Sequence, residues 1–231
     1  MIETIQKTPE KIVLITDMEI CLANAIRRSV NEIPIVAVED VDIYKNDSAL
    51  YDPIIAHRIG LIPLKQEKLR GSKTPQLKLS VVGGEVLSKE LGKDVAYEEI
   101  PIVLLGKNQE LELVAKCKTG FGREHSKFSP GLFYYRHLPS IQISGEGEKQ
   151  SELAEIYPKV FEFNEKLKVK NEWACEIDSL DIEKFRGVEI NFTKNLVVFI
   201  ESWGQIKVED IFIEAMGALK DNLTELSKEL K

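Results

Sequence analysis

The residues best able to do chemistry are few and scattered. Cys21, Cys117 and Cys175, with His57, His125 and His137, are the candidate metal ligands and nucleophiles. A structural zinc site needs about four such ligands at short spacings. Cys117, His125 and His137 share one segment, but no pair has finger or ribbon spacing and a fourth ligand is absent. No Ser or Cys nucleophile motif stands near a histidine, and His57 reads as a structural hydrogen-bonder in a helix rather than a base. Glu98 and Glu99 are adjacent in sequence and need not converge on one substrate. Asp178 and Asp181, in an acidic stretch, read as solvated charge rather than a cation site. The glycines of Thr119-Gly-Phe-Gly122 suggest a phosphate loop, yet no Lys-Ser/Thr follows them. What remains is recognition chemistry. Lys116, Lys118, Arg123 and Lys127 are interleaved with Phe121, Phe128 and Tyr134. Such a pattern stacks on single-stranded nucleic acid or anchors a protein interface. In a chain of net charge −7 the protein interface is the preferred reading.

The elements that must position these residues can be read in order. Lys11 to Ile15 is a short strand. Thr16-Asp-Met-Glu19 has the form of a capping box, predicting a helix to about Glu32 with Leu22, Ile26, Val30 and Ile33 as its apolar stripe. Pro34 stops it. A strand follows over residues 35–44, and Asn46-Asp-Ser48 is turn chemistry. Tyr51 to Gly60 reads as a second helix, with Ile54, Ile55 and Ile59 on its apolar side. Lys65 to Pro75 reads as a loop. Strands are expected at 77–81, 102–105 and 111–118, with turns at Val82-Gly-Gly-Glu85 and Gly106-Lys-Asn-Gln109. Residues 188–192 and 196–203 return to strand patterning, apolar on both faces, and are expected to rejoin one sheet with 11–15 and 35–44. The tail, Val208 to Lys231, carries Phe212, Met216, Leu219, Leu223, Leu226 and Leu230 at steps of 4, 3, 4, 3 and 4. That is a heptad-like seam, widened at its start by Ile211, Ala215 and Ala218. One reading lays the whole helix on its own sheet. The reading taken here leaves its last turns overhanging, with leucines that need a partner.

Composition narrows the function classes. With 43% hydrophobic and 30% charged residues over 231 positions the chain can bury a core. The acidic balance argues against a large basic surface for nucleic acid, so little direct nucleic-acid contact is expected. No apolar run approaches a membrane span, and the start lacks a signal-peptide pattern. Three scattered cysteines fit free thiols in a reducing cytoplasm.

Four blocks then point to a family. Leu22-Ala-Asn-Ala-Ile-Arg-Arg28, Ile33-Pro34, Leu50-Tyr-Asp52 and Ala56-His-Arg-Ile-Gly-Leu-Ile-Pro63 follow in order within about fifty residues. Together they resemble the signature of the alpha-like assembly subunits of cellular RNA polymerases, which include bacterial alpha, archaeal subunits D and the third-largest eukaryotic subunit. The tail ends without a second C-terminal domain, unlike bacterial alpha, and the extra cysteines of the eukaryotic relatives are lacking, so the archaeal branch is the expected match.

The resemblance implies an α+β fold and a non-catalytic scaffold. The clustered aspartates that hold magnesium in a polymerase active centre are absent. An alpha-like dimerisation domain (1–64 plus 190–231) would be interrupted by a β-rich insert (65–144) and a ferredoxin-like insertion (145–189). The implied partners are a smaller alpha-like subunit, L, in a heterodimer; the second-largest polymerase subunit; and the small zinc-binding subunits N and P. The tail seam would face L. Arg27 and Arg28, beside Asn24, would face the large subunit, with His57 and Arg58 also at the partner interface. The loop bearing Arg123, Glu124 and His125, followed by Tyr134 and Tyr135, would dock the second-largest subunit. The block from Gly145 to Glu189 has twelve acids against seven bases. It matches the lead-in to an iron–sulfur cluster run, but Tyr157, Cys175, Asp178, Asp181 and Phe185 stand at the ligand positions. One thiolate cannot hold a cluster that needs about four, so no cofactor is expected. The competing class is a stand-alone ferredoxin-like protein for electron transfer or ligand binding, against which the cysteine count speaks.

Overall fold

Helices and strands are mixed along the chain in the computed structural model, which describes residues 2–69, 71, 75–177 and 185–230. The strands are β1 (Ile2–Lys7), β2 (Lys11–Thr16), β3 (Ile35–Asn46), β4 (Gln76–Leu87), β5 (Pro101–Gly120), β6 (Gly131–Ile143), β7 (Phe161–Asn164), β8 (Lys166–Val169) and β9 (Val188–Ser202). The helices are α1 (Ile20–Ser29), α2 (Asp52–Gly60), α3 (Gln66–Leu69), α4 (Ser151–Ile156) and, at the end, the 22-residue α5 (Val208–Glu229). Among the described residues the sheets are β1-β2-β9-β6, β3-β5-β4 and the β7-β8 hairpin. The α+β class expected from the sequence is the class found.

One compact unit comprises Gln6–Ile12, Cys21–Tyr134 and Phe199–Lys231. Its main core lies between the β3-β5-β4 sheet and α2. Leu77, Leu79, Leu111, Leu113 and Ala115 point inward at every second residue, as the two-residue strand period requires. Ile55 and Ile59, one helical turn apart on α2, close over them. The second unit comprises Met1–Ile5, Val13–Ile20 and Tyr135–Val198. It has its own core, in which Ile141, Leu153, Val160, Phe161, Leu167, Cys175, Ile177 and Val188 are buried.

Several expectations need correction. Thr16 does not cap a helix. It ends β2 and its hydroxyl accepts the Met18 amide, so α1 begins at Ile20. The buried stripe of α1 and its following 3-10 turn (Val30–Glu32) is Ala23, Ile26, Val30 and Ile33. Leu22, one residue off that line, is 45% exposed, and Ile54 of α2 is likewise exposed. Residues 35–44 do not join the sheet of β2 and β9. β3 pairs antiparallel with β5, from Ile35 opposite Gly120 to Asn46 opposite Leu111. An alternating pattern says that a strand has an inner face, not which strand it pairs with. Val82–Glu85 is no turn either. β4 runs through it, with Gly83 and Gly84 at positive φ, and the expected turn at Gly106–Gln109 is instead a bulged part of the continuous strand β5, four residues opposite Gly83 alone. Lys65–Pro75, read as loop, contains α3. Its first residue, Gln66, is buried and satisfied: the amide accepts from Val36 N–H and donates to the Val36 and Leu64 carbonyls.

Gly131 is the tightest packing point of the first unit. A Cβ there would overlap the Glu201 carbonyl and approach Ile211 Cδ1 of α5 to 2.8 Å. Overpacking of this kind against backbone costs about 1–3 kcal/mol. Gly131→Ala is therefore expected to lower the thermal midpoint by several degrees, read by circular dichroism. An unchanged midpoint would show that β6 and α5 are not pressed together here.

Candidate partner-binding surface

The surface starts from α5, which changes character along its length. Its first turns are seated: Val208, Ile211 and Ala215 are fully buried. Phe212 stacks on Phe133 with ring centroids 6.3 Å apart. Glu209 and Asp210 in the first turn and Lys228 in the last suit the helix dipole. From Met216 onward the seam emerges. Met216 is 40% exposed, Leu219 half-buried, and Leu223, Leu226 and Leu230 are 58%, 55% and 79% exposed. The inward stripe is thus the Ile211–Ala215 line, and the row Leu223, Leu226, Leu230 lies open. Contiguous apolar rows of this kind are uncommon on monomers.

α1 and the loop after β5 complete the surface. A groove of about 540 Å³ is lined by Asn24, Arg27, Arg28, Arg123 and Leu219, with Cys21 also on its wall. Arg27 donates from Nε (3.1 Å) and Nη2 (2.9 Å) to Asn24 Oδ1, which fixes the plane of its guanidinium. Arg28 is exposed beside it. Arg123 pairs with Glu32 at 3.0 Å and lies over the Phe121 ring. The loop can approach α1 because of its glycines. A Cβ on Gly122 would come within 2.5 Å of Asn31 Oδ1, and one on Gly120 within 2.6 Å of the Phe128 ring. Close packing, not phosphate binding, accounts for Thr119-Gly-Phe-Gly122.

The other predicted residues are dispersed. His125 Nδ1 accepts the Lys127 amide and caps the turn Ser126–Phe128. Lys127 pairs with Glu39 at 2.5 Å and holds that carboxyl below its usual range. Glu124 is exposed. Tyr134 stacks on Phe199 with centroids 4.6 Å apart, and both Tyr134 and Tyr135 are half-buried. Arg58 donates to the Pro101 carbonyl at 2.5 Å. His57, expected to bond structurally, is exposed and makes no side-chain hydrogen bond among the described residues. Sequence reading missed a second apolar row. Tyr51, Ile54 and Leu61 are exposed on α2 and its end, with Arg58 between them. Their steps of three, four and three, on the face away from Ile55 and Ile59, were the available signal.

The two buried thiols, Cys117 and Cys175, are poor ligands as placed. Burial pushes Cys117 up to about 11 and Cys175 above its usual value, and only the thiolate binds metal well. Tyr157 and Phe185 pack against the core that holds Cys175. Asp178 and Asp181 lie outside the described residues. His137 Nδ1 is 3.0 Å from the Thr193 carbonyl. Among the described residues no group of three or more His, Cys, Asp or Glu could hold a metal ion, and no helix is long and apolar enough to cross a membrane.

Residues 13–223 match the model of the RNA polymerase Rpb3/Rpb11 dimerisation domain. Curated relatives agree along the chain. The DNA-directed RNA polymerase subunit Rpo3 of Pyrococcus horikoshii is 33% identical, with 100% of this chain and 97% of the relative aligned. That of Archaeoglobus fulgidus is 30% identical over 90% of this chain and 88% of the relative. That of Methanocaldococcus jannaschii is 37% identical over 54% of this chain and 68% of the relative. With an open leucine row on a terminal helix and a family match over nearly its whole length, the chain belongs to the RNA polymerase Rpb3/Rpb11 dimerisation-domain family.

Proposed function

We propose that this chain is the archaeal-type alpha-like assembly subunit, D or Rpo3, of a cytoplasmic DNA-directed RNA polymerase. It performs no chemistry itself. The observation that carries this reading is the half-seated α5, whose outer leucines are left open in a chain of the dimerisation family. The seam from Met216 to Leu230 takes a smaller alpha-like subunit of the same fold, L. Arg27, Arg28 and Asn24 in the α1 groove, together with Arg123, take the large subunits, and the exposed ends of α2 at His57 and Arg58 extend that contact. The small subunits N and P join the same assembly, and direct nucleic-acid contact is slight. The test is to tag the chain in its native cells and identify what co-purifies. Polymerase subunits in stoichiometric amounts support the assignment, and their absence removes it.

The insertion is metal-free in this account. Its ligand positions hold Tyr157, Cys175 and Phe185 in an apolar core, which stabilises the unit in place of a cluster. Anaerobically purified protein is therefore expected to lack stoichiometric iron and visible absorption, and chelators are expected to leave its thermal midpoint unchanged. One cluster's worth of iron per chain would overturn this.

A further inference from the structure

The groove between α1 and the loop after β5 is an island of positive charge. All of its lining residues belong to the unit that carries α5. They include three arginines and a single carboxylate, Glu32. Arg123 takes that carboxylate at 3.0 Å, so this pair is closed. Arg27 and Arg28 are left. Both are exposed, and neither has a carboxylate partner among the described residues. Three arginines against one carboxylate leave a local charge of +2 on a chain of net charge −7.

The open donors point to a particular kind of anion. Asn24 Oδ1 takes protons from Nε and Nη2 of Arg27 at 3.1 and 2.9 Å. Asn24 is neutral, so it orients the guanidinium without cancelling its charge. Nη1 and the second Nη2 proton remain for an outside acceptor. Arg28 makes no side-chain hydrogen bond among the described residues and keeps all its donors. Successive residues leave a helix about 100° apart, so the two forks need two acceptors rather than one. Planar forks match planar carboxylates in pairs. A nucleic-acid strand carries a charge at every nucleotide and would run past the island onto an acidic chain. A short acidic segment ends where the island ends.

We infer that the α1 groove recognises an acidic segment of a partner polypeptide through two carboxylates, one on Arg27 and one on Arg28. This rests on the reading above that the groove meets a partner subunit, and adds what that subunit presents there. The groove is continuous with the seam, since Leu219 lines both, so the acidic segment lies at the edge of the paired surface.

Cys21 supplies a handle for the test. It lies on the groove wall and is exposed, while Cys117 and Cys175 are buried. A cysteine-terminated peptide carrying two aspartates is equilibrated with the full-length chain over a range of mercaptoethanol, and the disulfide at Cys21 is read by mass spectrometry. The comparisons are the same peptide with asparagines and a thiol-bearing tetrathymidylate. The aspartate peptide is expected to stay half-captured at about tenfold more reductant than the asparagine peptide. Arg27→Gln with Arg28→Gln should abolish that advantage, with circular dichroism confirming the fold. Arg27→Lys with Arg28→Lys, which keeps the charge but not the forks, should not restore it. Equal capture of the two peptides by the unaltered chain, full restoration by lysine, or better capture of the tetrathymidylate would overturn the proposal. Recruitment of the large subunit by the double alanine variant keeps the two claims apart. Lost recruitment without an aspartate preference removes the acidic segment and leaves the partner reading. An aspartate preference with normal recruitment removes the partner reading and leaves the carboxylate chemistry.

Discussion

Replacing Leu219, Leu223 and Leu226 with Ser is expected to weaken the proposed pairing with a smaller alpha-like subunit strongly. The three side chains range from half-buried to more than half exposed, so they have apolar area left to bury. Fully burying one such side chain contributes roughly 1.5–3 kcal/mol. Since Leu219 is already half-covered, the three together give an upper bound of several kcal/mol, from which the cost of association is subtracted. A loss of about 3 kcal/mol weakens pairing roughly a hundredfold. The fold should survive, because Val208, Ile211 and Ala215 seat the helix and are untouched. Sedimentation reads the pairing and circular dichroism the fold. A triple variant that still pairs as tightly as the unaltered chain would mean that the seam is internal packing. The same open row predicts that the isolated chain self-associates, and that co-expression with the partner relieves this.

The second large effect is expected at Arg27 and Arg28. The double substitution to Ala is expected to leave the proposed heterodimer intact and to weaken recruitment of the large subunit. Asn24 already orients the Arg27 guanidinium, so little side-chain freedom remains to be lost on docking. Preorganised arginines at interface centres cost 2 kcal/mol or more when truncated, about a thirtyfold loss. Lysine at the same positions should not restore binding, since the planar fork and not the charge alone makes the paired contact. Normal co-purification of the large subunit with the double variant would remove Arg27 and Arg28 from the interface.

How much was legible in the sequence differs by feature. Local signals carried well: Pro34 as a stop, the turn at Asn46, where the side-chain amide donates to Asp52 and its oxygen takes the Ser48 amide, and the length of α5. Partner choice among strands did not carry. β3 looks the same in sequence whether it pairs with β2 or with β5, and only the β3–β5 ladder from Ile35 to Asn46 settles it. The capping box failed because Thr16 is held in β2, and the side chain then bonds locally to Met18. At the site, residue type pointed to Arg27, Arg28 and Arg123, and the fold does bring these into one groove. It could not show that Tyr134 stacks on Phe199. Nor could it show that the two loop glycines serve close packing, because both facts depend on neighbours distant in sequence.

The most direct test of the assembly role is stepwise reconstitution followed by analytical ultracentrifugation. The account predicts that the full-length chain and the smaller alpha-like subunit from the same cells form a one-to-one complex, and that this complex, but neither chain alone, then binds the second-largest polymerase subunit. If the chain ignores the smaller subunit, or if it recruits the second-largest subunit equally well without it, the chain is not the scaffold proposed here.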